Sequence, residues 1–442
     1  MGSWLAFFIY NSLLLLLSPV WAVYAISRGL SGKEARWDER LGRLKMVERQ
    51  GHPRVWVHAV SAGEVAAAAP IIRSLLSRRP ESLVFLSTIT RAGREMASKV
   101  CTQVSQTFYF PVDLPWVVRR SLSAVRPDVV VLVEGEIWPN FIFEAGRRGI
   151  PVVLVSGRIS EKGYRRSALV KPFLRWAFGN ICALGMQTET DAQRIVSLGA
   201  PLERVRVMGS AKYDEEAAPL SDADVAALRA SLGLAGDEPV LVAGSTRPGE
   251  EEQILEAYRI LLGRFPNLRL ILAPRHLERV KEVEELVVRA GYSCTRRTEL
   301  LRGGGKPASN VILLDTMGEL GRIYAVASVA FVGGTLAPIG GHNILQPIAQ
   351  GKPVFFGPHV HGIRDVAAQA MEAGVGFRIN SGVELASEAA KLLGDPNALA
   401  ELRAKCLGLV EANRGAAERY AQMILEAAGG NCRPHQEVLM LG

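Results

Sequence analysis

Continuous runs of Val, Ile and Leu alternate along this chain with segments whose apolar residues recur at helical spacing. Short apolar runs predict strands buried on both faces of a parallel sheet, and the segments between them predict helices. The first series of predicted strands lies at 55–60, 83–88, 129–133, 152–155, 182–187 and 205–209. A second series lies at 240–243, 268–273, 311–314, 329–332 and 353–356. A polar, acidic stretch at 213–224 separates the two series, so the pattern predicts two α/β domains joined by a linker.

The segment before the first predicted strand is apolar and carries no Asp, Glu, Lys or Arg from residue 1 to residue 27. A helix rising about 1.5 Å per residue over this length can cross a hydrocarbon layer of about 30 Å. Trp4, Trp21 and Tyr24 lie near its two ends, where interfacial anchors occur. Basic residues follow the apolar stretch instead of preceding it, which favours an uncleaved anchor over a signal peptide. The anchor either spans the membrane or lies in its surface.

The chain length of 442 residues fits two domains. The expected bounds are an anchor at 1–27, a first domain at 28–212, a linker at 213–224, a second domain at 225–425 and a tail at 426–442. Basic residues directly after the anchor place both domains in the cytoplasm by the positive-inside rule. A second basic and aromatic stretch at 162–178 could rest on an anionic leaflet, or it could pack its aromatic rings inward.

The net charge limits the kinds of ligand that the protein could bind, and the cysteine content indicates its redox compartment. The formal net charge of +8 suits nucleic acid, an anionic membrane or a phosphorylated substrate. We find no zinc-finger spacing and no Arg/Gly-rich tract, so nucleic acid is the weakest of these. The five cysteines are scattered and none forms a C-x-x-C pair, which indicates a reducing compartment without a cysteine-based metal site.

Two loops after predicted strands of the first domain carry carboxylates. In Ser61-Ala62-Gly63-Glu64 the serine and glutamate have the spacing of a capping box, and Glu64 could equally act as a general base. The segment alone slightly favours the cap. Glu134 and Glu136 follow the strand at 129–133, where they are either solvent-facing loop acids or functional groups. Ligands of open parallel sheets bind at the carboxyl ends of the strands, which keeps the functional interpretation open for both loops.

Loops of the second domain could hold an anion. The turn that contains Ser245 could cradle a phosphate or could only cap a helix. Glycines at 333–341 allow close backbone approach to a ligand, and a helix start near His342 suits a negative charge. Arg275 follows another strand and offers a guanidinium. No Asp-x-Asp lies at a strand end, so a divalent-metal nucleotide site is not supported.

Taken in order, these segments resemble the transferases of 3-deoxy-D-manno-oct-2-ulosonic acid (Kdo) in lipopolysaccharide synthesis. The matching pieces are 58–64, 134–140, 209–214, 274–276, 315–320, 331–334 and 341–343. The resemblance implies a GT-B fold, in which two Rossmann-like domains face a cleft, the first binding the acceptor and the second the CMP-sugar. It implies inverting, metal-independent transfer of Kdo from CMP-Kdo to a lipid A precursor (lipid IVA). It also implies no cofactor, no nucleic acid partner and a location on the cytoplasmic face of the inner membrane.

The resemblance assigns roles to individual residues. It implies that Glu64 is the general base. The residues that match CMP-contacting segments are Pro274, Arg275, Met317, Gly318, Glu319, Asn343, Ile344, Leu345 and Gln346. The residues expected to hold the sugar, its phosphate or the acceptor are Glu134, Glu136, Ser210, Lys212 and Ser245. The family usually has glutamate where this chain has Gln346, and a glutamine can accept a hydrogen bond from a ribose hydroxyl but carries no charge.

Two other functions remain open at this stage. A GT-B nucleotide-sugar 2-epimerase would share the architecture, but its soluble substrate needs no membrane anchor. A membrane scaffold without activity could keep the fold, but it would not need carboxylates at Glu64, Glu134 and Glu136.

Overall fold

The computed structural model describes residues 7–16, 36–45, 52–234, 236–303 and 309–430. The chain forms two compact units. The first comprises the residues up to Glu215 and those from Asn413 onward, and the second comprises Glu216–Ala412. Each unit contains a parallel sheet with helices packed on it, which confirms the prediction of two α/β domains.

The first unit is built on a seven-stranded sheet within the described residues. Its strands are β1 (Arg54–His58), β2 (Leu83–Thr88), β3 (Gln106–Tyr109), β4 (Val129–Val133), β5 (Val152–Gly157), β6 (Ala183–Met186) and β7 (Val205–Val207). They lie in the order β3-β2-β1-β4-β5-β6-β7, and all neighbouring pairs are parallel. The central β1 pairs Val57 with Leu86 on one side and with Val131 on the other. Every residue of β1 and β4 is buried, as expected for strands covered on both faces.

Helices cover both faces of this sheet. They are α1 (7–16), α2 (Trp37–Arg40), α3 (Ala62–Arg78), α4 (Arg91–Val100), α5 (Pro115–Val125), α6 (Pro139–Arg147), α7 (Glu161–Ser167), α8 (Lys171–Gly179) and α9 (Glu189–Ser197). Short 3₁₀ helices lie at Ala168–Val170, Leu202–Arg204 and Ala211–Glu215. One core cluster joins α3 to the sheet through Val57 and Leu75, and another packs Trp56 and Phe141 on the other face.

The second unit also contains a seven-stranded parallel sheet within the described residues. Its strands are β8 (Val240–Thr246), β9 (Arg269–Pro274), β10 (Cys294–Arg296), β11 (Val311–Leu313), β12 (Val329–Val332), β13 (Val354–Phe356) and β14 (Gly376–Arg378), in the order β10-β11-β9-β8-β12-β13-β14. Its helices are α10 (Asp222–Ser231), α11 (Glu250–Leu262), α12 (Val280–Arg289), α13 (Arg297–Leu301), α14 (Leu320–Ile323), α15 (Leu345–Ala349), α16 (Arg364–Glu372), α17 (Gly382–Leu393) and α18 (Pro396–Asn413). The 3₁₀ helices Leu277–Arg279 and Tyr324–Val326 complete it.

Strand order fixes a binding position in each sheet. In the first unit the chain runs outward from β1 to β3 and then returns to place β4 on the other side of β1. In the second unit β9 and β12 likewise lie on opposite sides of β8. Loops that leave adjacent strands in opposite directions open a crevice at the carboxyl ends, which is where open α/β sheets bind ligands. The crevice positions lie between β1 and β4 and between β8 and β12.

The C-terminal part of the chain differs from the expected domain bounds. A further helix, α19 (Ala416–Ala428), belongs to the first unit, although residues up to 425 were expected in the second domain. Its apolar face, including Tyr420 and Ile424, is part of the same core cluster as Val57. Asp214 accepts the backbone N–H groups of Gly415 (2.5 Å) and Ala417 (2.6 Å) at the start of this helix. The expected linker therefore contributes its first residues to the core and the cap of the first unit.

The N-terminal helix α1 packs on the first unit. Phe7 contacts the rings of Phe143 and Trp176, and the Tyr10 hydroxyl donates to the Asp113 carboxylate at 2.8 Å. Most of the expected anchor at 1–27 lies outside the described residues. Among the residues that the structure describes, no helix combines the length and the apolar character needed to span a bilayer.

Candidate functional site

Glu64 lies in the crevice of the first unit, at the start of α3 and directly after β1. Ser61 is the N-cap, and its Oγ accepts the Glu64 N–H at 3.4 Å. The Glu64 carboxylate accepts the backbone N–H of Val60 at 2.8 Å and the Ser61 hydroxyl at 3.0 Å. The capping geometry that the sequence suggests is therefore present, and it fixes the direction of the carboxylate.

A second cap of the same design shows what the cap alone does to a carboxylate. At the start of α17, the Ser381 Oγ accepts the Glu384 N–H and Glu384 accepts the Asn380 N–H at 2.8 Å. Hydrogen bonds from the Asn380 side-chain amide, at 2.9 Å, and from the Asn380 backbone N–H lower the pKa of Glu384. Burial instead raises the pKa of Glu64 to about 7, with further increases from Glu136 and Glu134. Capping therefore does not explain the environment of Glu64, which is that of a carboxyl group suited to accept a proton near neutral pH.

The acidic loop after β4 supplies the neighbouring charges. Glu134 has a left-handed backbone (φ 65°), which is costly for a residue with a side chain and concentrates at functional sites. Its Oε1 is buried and accepts no hydrogen bond within the part of the chain that the structure describes. Burial and the charge of Glu134 raise the pKa of Glu136. The two carboxylates therefore lie close enough to Glu64 to influence its proton.

Two cations lie in the same crevice. Burial lowers the pKa of Lys212, the carboxylates of Glu134 and Glu64 oppose this effect, and the nearby Arg158 adds to it. The sequence pattern predicts Lys212 as a site residue but not Arg158, whose only signal is a basic side chain directly after β5. Ser210, which was also predicted, is buried and donates its backbone N–H to the Asn413 Oδ1 at 2.6 Å.

His58 at the end of β1 is not an alternative base. Its ring is fully buried and stacks on Phe110 with centroids 3.7 Å apart. Burial lowers its pKa to about 3, so it stays neutral and enclosed at physiological pH. Glu64 is the better candidate for proton transfer in this crevice.

We expect a pH dependence from the Glu64 environment. A base must be deprotonated, and the pKa of Glu64 is raised from 4.5 to about 7. The activity that this base supports, measured as kcat/KM, should therefore rise about tenfold per pH unit below neutrality and level off above it. Glu136→Gln removes one neighbouring negative charge, so it should lower the pKa of Glu64 and move the midpoint of this pH profile to lower pH. A flat profile between pH 5 and about 8 would contradict a titrating base of this kind.

The crevice of the second unit contains a cavity of about 280 Å³. The carboxyl ends of its strands contribute most of the lining. The predicted residues that line it are Ser245, Pro274, Arg275, Met317, Gly318, Asn343 and Gln346. Segments about 100 residues apart in the chain are thus collected around one space. Ser245 has a left-handed backbone (φ 56°), a second strained residue at a strand end.

Three of the predicted nucleotide contacts do not line this cavity. Ile344 and Leu345 belong to the core, with 0% and 3% of their surface exposed. Glu319 accepts hydrogen bonds from the Arg297 guanidinium at 3.0 Å and from the Thr316 hydroxyl at 3.2 Å. Tertiary packing therefore buries the Ile344 and Leu345 side chains away from the cavity, and the Leu345 N–H is donated to the Asn343 Oδ1 at 2.9 Å.

A group of basic side chains lies beside His342, which lines this cavity. The Arg247 guanidinium donates to the His342 Nε2 at 3.2 Å and lies 2.6 Å from the His276 Nε2. Burial and the charges of Arg247 and Arg275 lower the pKa of His342 to about 4, so this imidazole is neutral. Within the described residues, neither Arg247 nor Arg275 forms an ion pair. Neither positive charge is therefore neutralised by a carboxylate among the described residues.

The backbone of the glycine loop after β12 is not arranged as the sequence predicts. Its backbone N–H groups were expected to approach a ligand, but four of them point at the buried carboxylate of Glu250. The helix that follows, α15, has only five residues. The anion-binding capacity at this strand end therefore comes from side chains and not from the loop backbone.

Each unit is an α/β domain with a parallel sheet; the first carries a buried carboxylate cluster and the second a cavity lined by Arg275 and His342, and these features suit a glycosyltransferase. Comparison with known proteins specifies the kind. The chain belongs to the 3-deoxy-D-manno-octulosonic acid transferase family. The family model for 3-deoxy-D-manno-octulosonic-acid transferase (kdotransferase) matches residues 35–215. The 3-deoxy-D-manno-octulosonic acid transferase of Haemophilus influenzae is 32% identical over 427 residues, which cover 94% of this chain and 97% of the relative.

Two further relatives match parts of the chain. A bifunctional glycosyltransferase/methyltransferase of Fusobacterium nucleatum is 35% identical over 329 residues, which are 74% of this chain. The match spans half the length of that relative. A solved structure, the C-terminal CMP-Kdo binding domain of WaaA from Acinetobacter baumannii, is 30% identical with a TM-score of 0.40. It covers 43% of this chain and 97% of that domain.

Proposed function

We propose that this protein transfers Kdo from CMP-Kdo to a lipid A precursor, with inversion and without a metal ion. Family membership supports the class of reaction. The observation that carries the assignment of the base is the Glu64 carboxylate, whose burial and acidic neighbours raise its pKa to about 7 at the crevice of the first sheet. The two units are the components of a GT-B enzyme, with the acceptor site in the first and the donor site in the second.

The chemistry needs one base. A hydroxyl of the acceptor sugar attacks the anomeric carbon of Kdo, and its proton passes to Glu64. The bond from that carbon to the phosphate oxygen breaks, and CMP leaves with the electron pair. A phosphate leaving group needs little acid assistance, whereas the attacking hydroxyl gains from general-base catalysis of about 10²–10⁴-fold. Attack from the face opposite the leaving group inverts the configuration.

The second unit supplies charge stabilisation. Arg275 lines the cavity and Arg247 contacts its lining residue His342, and neither is neutralised by a carboxylate among the described residues. Guanidiniums held in place before the reaction stabilise the charge that develops on the departing phosphate. Gln346 lines the same cavity and can accept one hydrogen bond from a ribose hydroxyl.

The direct test is incubation of the purified protein with CMP-Kdo and a tetraacyl lipid A precursor. We expect a Kdo-bearing lipid product and free CMP in the presence of EDTA. Loss of activity in EDTA that returns with added magnesium would contradict the metal-free mechanism. Release of CMP without a lipid product, or conversion of a nucleotide sugar to its epimer, would favour another reaction on the same fold.

We also propose that α1 holds the protein on the cytoplasmic face of the inner membrane. One face of the helix contacts the first unit through Phe7 and Tyr10, and the opposite side exposes Phe8 (70%) and Leu16 (74%). Leu169, in the 3₁₀ helix Ala168–Val170 that directly precedes α8, is 85% exposed. Exposed apolar side chains beside the basic residues of α7 and α8 suit a helix that lies in an anionic lipid surface.

Replacing the exposed apolar residues of α1 should release the protein from lipid. Phe8→Ser with Leu16→Ser removes two large side chains, each contributing about 1.5 kcal/mol or more when buried. Partition onto vesicles of phosphatidylcholine and phosphatidylglycerol should fall about tenfold or more in a flotation assay. The matched control is Val288→Ser with Leu301→Ser, two exposed apolar residues of the second unit. Equal partition of both double variants would show that this face of α1 does not carry membrane binding.

A further inference from the structure

The glycine loop of the second unit closes around a side chain of the protein itself. The Glu250 carboxylate accepts the backbone N–H groups of Gly334 (2.7 Å), Thr335 (3.0 Å), Leu336 (2.9 Å) and Ala337 (3.1 Å). It is fully buried and stands at the first position of α11, where the helix dipole favours a negative charge. An internal anion thus occupies the concave surface that the loop backbone forms.

The same carboxylate also holds the turn that follows β8. It accepts the backbone N–H of Arg247 at 2.9 Å, so one side chain joins the loops that leave β8 and β12. The two loops are in close contact. A Cβ atom added at Gly333 would lie 2.5 Å from the Ser245 carbonyl oxygen, which is too close for any side chain. Only glycine allows this approach, and the Glu250 carboxylate satisfies the N–H groups that the approach buries.

These two loops position the cations of the donor cavity. The Arg247 side chain leaves the first loop and donates to His342, whose own backbone N–H donates to the Gly333 carbonyl oxygen at 3.2 Å. His342 lines the cavity, whereas Glu250 does not. Glu250 therefore does not line the cavity itself, but it contacts the loops that carry the lining residues.

We propose that Glu250 is a positioning residue of the donor site, which holds the glycine loop, Arg247 and His342 in the arrangement that binds the anionic part of the donor. It acts through those residues and does not itself contact the ligand. This proposal rests on the proposed function for the identity of the donor, and its structural part can be tested without any donor.

The neighbouring residue provides a matched control. Glu251 is also fully buried on α11, but its carboxylate pairs with the Arg279 guanidinium at 2.7 Å and makes no contact with the glycine loop. Glu250→Gln and Glu251→Gln each remove one buried charge from adjacent positions of one helix. A purely structural role predicts similar consequences for both variants.

The experiment measures CMP affinity by calorimetry and the titration of His342 by NMR of histidine-labelled full-length protein. The resonance is assigned by a His342→Gln variant. Thermal melting monitored by circular dichroism ensures that every variant is compared while folded. The CMP affinity reports on the donor site, and the His342 titration reports on the loop alone.

We expect Glu250→Gln to weaken CMP binding about tenfold or more, because both carboxylate oxygens of Glu250 accept N–H groups, whereas the amide nitrogen of glutamine can only donate and would face N–H groups at one of these positions. The pKa of His342 should rise towards its ordinary value as the imidazole gains access to water. The donor KM should rise with little change in the acceptor KM. Glu251→Gln should leave all three quantities close to those of the native protein, whatever it does to the melting temperature.

Three results would overturn the proposal. The first is an unchanged CMP affinity and His342 titration in Glu250→Gln. The second is an equal change in Glu250→Gln and Glu251→Gln. The third is failure of both Glu250→Gln and Glu250→Asp to fold, which would make the carboxylate a requirement of the fold and not of the site. If the native protein does not bind CMP, the proposed donor is wrong, and the His342 titration still decides the role of Glu250.

Discussion

Glu64→Gln is expected to reduce the turnover number for transfer by about 10³-fold, because glutamine cannot accept the proton of the attacking hydroxyl. The substitution keeps the shape of the side chain, and its carbonyl oxygen can still accept one of the two capping hydrogen bonds from Val60 or Ser61. Affinity for CMP, which binds in the second unit by the proposed function, should change by less than about twofold. A radiolabelled transfer assay and calorimetry measure the two quantities separately.

Glu384→Gln is the matched control for this prediction. It removes a carboxylate at the equivalent position of a helix cap: the Glu384 carboxylate accepts the backbone N–H and the side-chain amide of Asn380, while the Ser381 Oγ accepts the Glu384 N–H at the start of α17. If capping were the whole role of Glu64, both variants would lose stability and keep activity. Turnover of Glu64→Gln close to that of the native protein would exclude Glu64 as the base.

Arg275→Gln is expected to raise the KM for the donor by about 10–100-fold, since it removes a charge-assisted hydrogen bond to a phosphate. Arg275 lines the cavity and has no carboxylate partner among the described residues, so its loss should hardly affect folding. Arg275→Lys should recover part of the affinity, because lysine keeps the charge but not the planar pair of donors. Donor and acceptor KM values measured separately provide the check.

Arg289→Gln serves as the control for a general effect of charge. Arg289 is an exposed residue of α12 and does not line the cavity. Its substitution lowers the net charge by the same amount and should leave the donor KM unchanged. A similar rise of the donor KM in both variants would indicate long-range attraction of the donor by the basic protein and not a contact with Arg275.

The interior strands were predictable from the sequence, whereas most edge strands were not. Val129–Val133 lies between β1 and β5, Val329–Val332 lies between β8 and β13, and both interior strands have the predicted bounds. The structure adds β3, β10 and β14, all of which lie at sheet edges. An edge strand is covered less completely, so its sequence carries no continuous apolar run, and only pairing with its neighbour defines it.

The candidate residues of the site were predictable because ligand sites follow strands, and strands were recognisable. Glu64, Glu134 and Arg275 each come directly after a predicted strand. Arg158 and Arg247 occupy equivalent positions, but a single basic residue in a loop gives too weak a signal. Their involvement depends on distances between loops that are far apart in the sequence, and local patterns do not contain such distances.

The sequence by itself determined the alternation of strands and helices, the two α/β units, and the resemblance that identifies the family. These properties depend on local periodicity and on short motifs, and both are local features of the sequence. Tertiary structure alone decided which carboxylate is buried beside others and which is only a cap, since Glu64 and Glu384 have the same local spacing and opposite pKa shifts. It also decided that the glycine loop receives Glu250 and that α19 completes the first unit. Burial and charge proximity arise from contacts between distant segments, and therefore they become visible only in the folded chain.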